Sequence, residues 1–91
     1  MSYKPYGNRC LVRIGKHFIY DDKKKPVIDE GGNHVYEPEQ EGKVLASNIP
    51  DIKKGMTIIP IIRGGVPIRN MEDKKSVVIS LDGEDIYGVK I

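Results

Sequence analysis

The apolar residues of this chain come in short runs, each cut off by glycine, proline or clustered charge, and no span sustains the 3.6-residue period of a helix. In Arg9–Ile14, Cys10, Val12 and Ile14 alternate with Arg9, Leu11 and Arg13, the two-residue period of a half-buried strand. Gly42–Ala46, Thr57–Ile62, Ser76–Ser80 and Ile86–Ile91 read as further strands, and Val66–Ile68 as a short returning one. Pro60 cannot donate to a ladder and belongs at an edge or a bulge. Leu81–Asp85 is acidic enough to cap one helical turn and no more. Short strands with regular turn signals predict an all-β fold, a small, irregular, partly open β-barrel.

A long segment, Gly15–Glu41, separates the first two strands. It holds three glycines and two prolines, with four lysines against seven acids. Connections of this length without structure of their own are uncommon in compact domains and are usually functional or disordered. The segment is expected to be a mobile loop hung on the barrel, within a single domain spanning 1–91. Three apolar islands interrupt it: Phe18–Tyr20, Pro26–Ile28 and His34–Tyr36. Phe18–Tyr20 extends the first strand past Gly15, through a bulge. Pro26–Ile28 and His34–Tyr36 face each other across Gly31-Gly32, the spacing of a small hairpin. Glu37–Glu41 is too polar to be expected in a ladder. No internal repeat is evident.

The body left without that segment is small and gains from oligomerisation. With no tryptophan and one phenylalanine, its core must come from Ile, Val, Leu and Tyr. Cys10, the single cysteine, admits no internal disulfide and reads as a buried structural thiol. The N-terminus lacks the apolar run of a signal peptide, and no run approaches membrane-spanning length. A soluble, cytoplasmic protein is expected. The net charge of +2 is too small to argue for nucleic acid.

Catalytic chemistry finds no purchase. His17 and His34 sit among acids without a metal-ligand spacing, and they read as surface residues. Gly31-Gly32 and Gly64-Gly65 lack the lysine and helix of a phosphate loop. No serine or cysteine has a base at motif spacing, and the carboxylates lie in solvated runs where nothing separates their pKa values. The expectation is a non-enzyme, with no catalytic residue, metal or cofactor.

In this arrangement the chain resembles the co-chaperonin (GroES) family, the ring-shaped lids of the chaperonin folding chamber. Lys4-Pro5-Tyr6-Gly7-Asn8-Arg9-Cys10-Leu11-Val12 is similar to that family's opening, and Glu41–Ala46 to the strand after its mobile loop. Lys53-Lys54-Gly55-Met56-Thr57-Ile58-Ile59 and Glu84–Val89 resemble its middle and closing segments. The resemblance implies a homo-oligomer, a heptamer, that docks on a chaperonin ring in a nucleotide-dependent way and encloses an unfolded client. ATP or ADP would be bound by the chaperonin, not by this chain. It also implies neither a nucleic-acid nor a membrane partner. Between Ala46 and Lys53 only Ser47–Ile52 stands where the family carries a roof hairpin, a departure known from phage-encoded co-chaperonins, which suggests a virus-encoded form working in the host cytoplasm.

The family's mobile loop docks through a short aliphatic motif. Its nearest equivalent here is Pro26, Val27 and Ile28, with His34, Val35 and Tyr36 second and Phe18–Tyr20 third. The alternative is that Val27 and Ile28 pair with Val35 and Tyr36 in a hairpin folded on the barrel. Subunits in the family join first strand to last, implicating Arg9, Leu11, Val12, Ile86, Val89 and Ile91. Two rival functions remain: a nucleic-acid-binding barrel using Lys53, Lys54, Lys74 and Lys75, and a structural adaptor, for instance of a virion.

Overall fold

A computed structural model describes residues 4–91; Tyr3 and the two residues before it lie outside the described residues. Six strands are formed among them: β1 (Arg9–Phe18), β2 (Tyr36–Ser47), β3 (Thr57–Pro60), β4 (Val66–Pro67), β5 (Ser76–Asp82) and β6 (Ile86–Val89). They make one antiparallel sheet in the order β4-β5-β1-β2-β3-β6. Its ends do not join, so β4 and β6 are edges. Cys10, Val12 and Ile14 on β1 share a core with Val44, Ile58, Val77, Ile79 and Leu81, and Ile86 from β6 packs against it. Strands from both halves of a single sheet reach one core only if the sheet curls on itself, which gives the partly open barrel expected of an all-β chain. Among the described residues no helix is long and apolar enough to cross a membrane.

The two-residue alternation of β1 decides which face turns inward. Leu11 and Val78 lie on the opposite face, yet they are buried. Arg9 and Arg13 share that face and reach over the sheet to β5. Arg9 Nε donates to Ser80 Oγ at 2.9 Å and Arg13 Nη1 to Ser76 Oγ at 2.7 Å. Their aliphatic stems shelter the second apolar layer while their heads stay paired.

Turn chemistry follows the sequence closely. Asp82 accepts from the Glu84 amide at 3.0 Å and starts the one helical turn Gly83–Asp85. Pro60 ends β3 at a register shift against β6. Between β2 and β3 the chain makes a tight connection in place of a hairpin. The Ser47 hydroxyl accepts from the Ile49 amide at 2.9 Å, Asn48 donates its amide to Arg9 O at 3.0 Å, and Ile52 is buried beneath. Gly55, at φ 90°, closes the corner.

Two expectations are corrected. Gly15–Glu41 is not a structureless loop: its ends lie inside β1 and β2, which run well past the barrel as a ribbon. The polar run Glu37–Glu41 belongs to β2, with Glu37 opposite His17 and Pro38 opposite Lys16. Polar residues are tolerated there because Glu37–Glu41 are all exposed to solvent. The second correction concerns the subunit edge. Arg9, Leu11 and Val12 lie on a central strand, with β2 on one side and β5 on the other. From Cys10 to Ile14 both sides of the strand are paired within the chain, and Val12 is core, so this stretch has no edge to offer a neighbour.

Candidate functional site

Two hairpins end the ribbon, and they are built alike. The Asp21 carboxylate accepts from the amides of Lys23 and Lys25, both at 2.9 Å; the Asp29 carboxylate accepts from those of Gly31 and Asn33, both at 2.9 Å. Lys24 donates its amide to Asp21 O, and Gly32 to Asp29 O. The fourth turn residue is left-handed in each, Lys24 at φ 62° and Gly32 at φ 80°. Tyr20 then bridges to Pro26, and Ile28 to His34. The sequence behind this is an eight-residue repeat: Ile19-Tyr20-Asp21-Asp22, then Val27-Ile28-Asp29-Glu30, then Val35-Tyr36-Glu37. Only the apolar pair and the acids that follow recur, two acids in each prong and one in the ribbon. The four residues after them differ completely, which hid the repeat from composition and period.

The repeat residues close a ring of backbone bonds. Ile19 donates to Val35 O at 3.0 Å, Val35 to Val27 O at 2.8 Å, and Val27 to Ile19 O at 3.1 Å. Three hairpin stems meet at this junction: the two prongs and the ribbon. Each residue spends its one donor and one acceptor on the other two, so the junction leaves none of these polar groups unpaired.

Around it stands a ladder of rings. Phe18 stacks on His34 at 4.5 Å between centroids, Tyr20 meets His34 edge-on at 5.1 Å, and Phe18 meets Tyr36 edge-on at 6.1 Å. His34 Nε2 donates to Ile19 O at 3.0 Å, tying the ladder to the junction. Such ring pairs contribute about 0.5–1.5 kcal/mol each beyond their area. These contacts give an isolated ribbon an order that bare hairpins lack.

The candidate docking residues therefore divide. Val27 and Val35 are half-buried in the junction, where their backbones hold the prongs together. Ile28 and Tyr20 occupy the same repeat position, one step past the junction, and are 53% and 57% exposed. Pro26 is exposed beside Tyr20, and His34 and Tyr36 are engaged in the ring ladder. At the far end of the sheet, the outer side of β6 is unpaired among the described residues. Tyr87, Val89 and Ile91 are exposed there, with Ile86 turned to the core. Lys53 and Lys54 sit on the β2–β3 connection, whereas Lys74 and Lys75 sit on the turn before β5, beside Glu72 and Asp73.

Burial of Cys10 in the core pushes its thiol pKa up, against a weaker pull from Arg9. A thiol held protonated this way is a poor nucleophile. Asp73 moves the other way. The Lys75 amide, the Ser76 hydroxyl and the Ser76 amide donate to its carboxylate, and with Arg13 nearby they hold its pKa below the usual value. Among the described residues no cluster of three His, Cys, Asp or Glu side chains is placed to hold a metal ion. Compared with known proteins, the chain matches no family model and no curated sequence.

Proposed function

We propose that this chain is a co-chaperonin, a ring-forming lid that docks on a chaperonin and closes its folding chamber around a client. One observation carries the reading: a β-ribbon runs out from a small barrel and presents apolar side chains at its tip, Ile28 and Tyr20, that its own fold leaves half exposed. Burying such a side chain in a partner groove contributes roughly 1.5–3 kcal/mol for complete burial, and about half of that remains to be gained here. One arm alone would bind weakly. Several arms on a ring multiply through effective concentration and still release when the partner changes shape. An ATP-driven chaperonin needs that combination, and nucleotide binding is then the partner's task.

The ring would form through the β6 edge. An exposed apolar edge strand invites pairing, and β4, two residues long and ending in Pro67, is a poor alternative. Because β1 is already paired on both sides, the neighbour's partner would be Lys4–Tyr6, the non-strand segment that precedes the Gly7 bend. A repeating head-to-tail contact closes a ring when its rotation divides a full turn, and the co-chaperonin resemblance implies seven subunits. The short Ser47–Thr57 connection would leave the top of such a lid open, which suits a bulky client and a virus-encoded origin.

The test is capture of a chaperonin ring by the tagged chain with ATP, with ADP and without nucleotide. Nucleotide-dependent capture supports the reading, and no capture in any state removes it.

A further inference from the structure

The ribbon leaves the barrel at a break in its own ladder. Ile14 pairs with Gly42 and Lys16 with Pro38, so two steps along β1 oppose four along β2. Glu39, Gln40 and Glu41 have no partner in that ladder, and Pro38 has no N–H to give. Bulges of this kind disrupt pairing and bend the strand. Gly15 stands opposite, where a β-carbon would come within 2.7 Å of the Glu39 carboxyl carbon. Lys16 anchors the near side. Its side chain is 7% exposed, pairs with Glu72, donates to Asp73 O at 2.9 Å and lies over the Tyr36 ring at 4.9 Å.

Beyond Lys16 the ribbon overhangs a cleft of about 920 Å³. Phe18 and Tyr36 line its ribbon wall, and Ile62, Pro67 and Ile79 line its barrel wall. Asp29 from the ribbon and Arg69 from the barrel border the same cleft with opposite charge. Asp29 holds its own turn through Oδ1, leaving Oδ2 for a second partner. Arg69 makes no ion pair among the described residues.

We propose that the part of the ribbon beyond the Lys16 anchor is a strap that pivots at the Lys16–Pro38 step and closes this cleft, laying Phe18 and Tyr36 against Ile62, Pro67 and Ile79 and bringing Asp29 to Arg69. Closure withdraws the ribbon's ring face from solvent, and opening presents it. The equilibrium belongs to the isolated chain and stands apart from the function proposed above.

Pulsed electron resonance between spin labels at Glu30→Cys and Lys74→Cys measures it, with Cys10 buried and out of the label's reach. Two distance populations are expected. The shorter falls at least threefold on Arg69→Glu and survives Arg69→Lys. It also falls in 1 M salt, where screening acts within about 3 Å. A single population, or a short one indifferent to Arg69→Glu, overturns the proposal. Amide exchange at Val27 and Val35 is followed in parallel. Protection kept while the short population falls supports a swinging strap, whereas protection lost with it reports a melted ribbon and overturns the proposal.

Discussion

Val35 donates its amide to the carbonyl of Val27 at 2.8 Å, repeating eight residues on the bond that Val27 makes to Ile19 at 3.1 Å. The ribbon tip is thus a small duplicated structure with its own internal logic. Two copies of one hairpin lean on a third stem, and the same backbone positions carry the load in each. The amides of Ile19, Val27 and Val35 should exchange slowly in the isolated chain, far more slowly than those of Asp22 and Glu30 at the prong tips. Exchange at the same rate at all five sites would contradict the ring of bonds.

The two prongs differ at one telling position. Lys24 adopts the left-handed conformation that Gly32 occupies in the other copy. A side chain there costs roughly 1–2 kcal/mol, partly offset by the entropy a glycine loses on folding. Lys24→Gly should therefore stabilise its prong by about 0.5–1 kcal/mol, and Gly32→Ala should destabilise the other by a similar amount. Amide exchange at Lys25 and at Asn33 reads the two effects separately.

Gly42 is a different kind of glycine. A β-carbon there would run into Val12 Cγ1 and lie 2.9 Å from Ile14 Cγ1, both in the core. Overfilling a packed core costs about 1–3 kcal/mol. Gly42→Ala should lower the denaturant midpoint of the whole barrel without changing exchange within the prongs, since the ladder break separates the two regions.

Strand existence was largely legible in the chain, and strand length was not. The alternation of Cys10, Val12 and Ile14 marks a one-sided strand, and Gly31-Gly32 between two apolar islands marks a hairpin. Both kinds of signal come from local sterics and from burial on one side. Glu37–Gln40 are exposed throughout, so they carry no apolar alternation although they continue β2. The central place of β1 was hidden for another reason: strand order is set by which faces meet across the core, and a strand's own residues do not name its neighbours. Of the candidate docking residues, the islands themselves were visible. Their division into junction residues (Val27, Val35) and protruding ones (Ile28, Tyr20) depended on a repeat whose intervening residues share nothing.

Asp73 supplies a pH signature. Its folded pKa is depressed below the usual 3.8 by the Lys75 and Ser76 donors and Arg13. The sign is that of a stabilising carboxylate: its contribution is complete above the unfolded pKa and is lost as pH falls through the lower, folded value. The stability gap between the wild-type chain and Asp73→Asn should be constant above about pH 5 and should shrink below about pH 4, where even the unfolded carboxyl takes up its proton. Denaturant titrations across that range check it. A gap that widened with acid would mean that the donors do not favour the charged form.

The central claim is that a ribbon on a small barrel holds a chaperonin through the side chains it leaves exposed. Co-sedimentation of the chain with a chaperonin ring, with and without ATP, should show nucleotide-dependent capture. Ile28→Asp should reduce it at least tenfold while the chain's own oligomer and its Val27 amide protection stay intact. Capture that ignores nucleotide, or that Ile28→Asp leaves unchanged, would contradict the account.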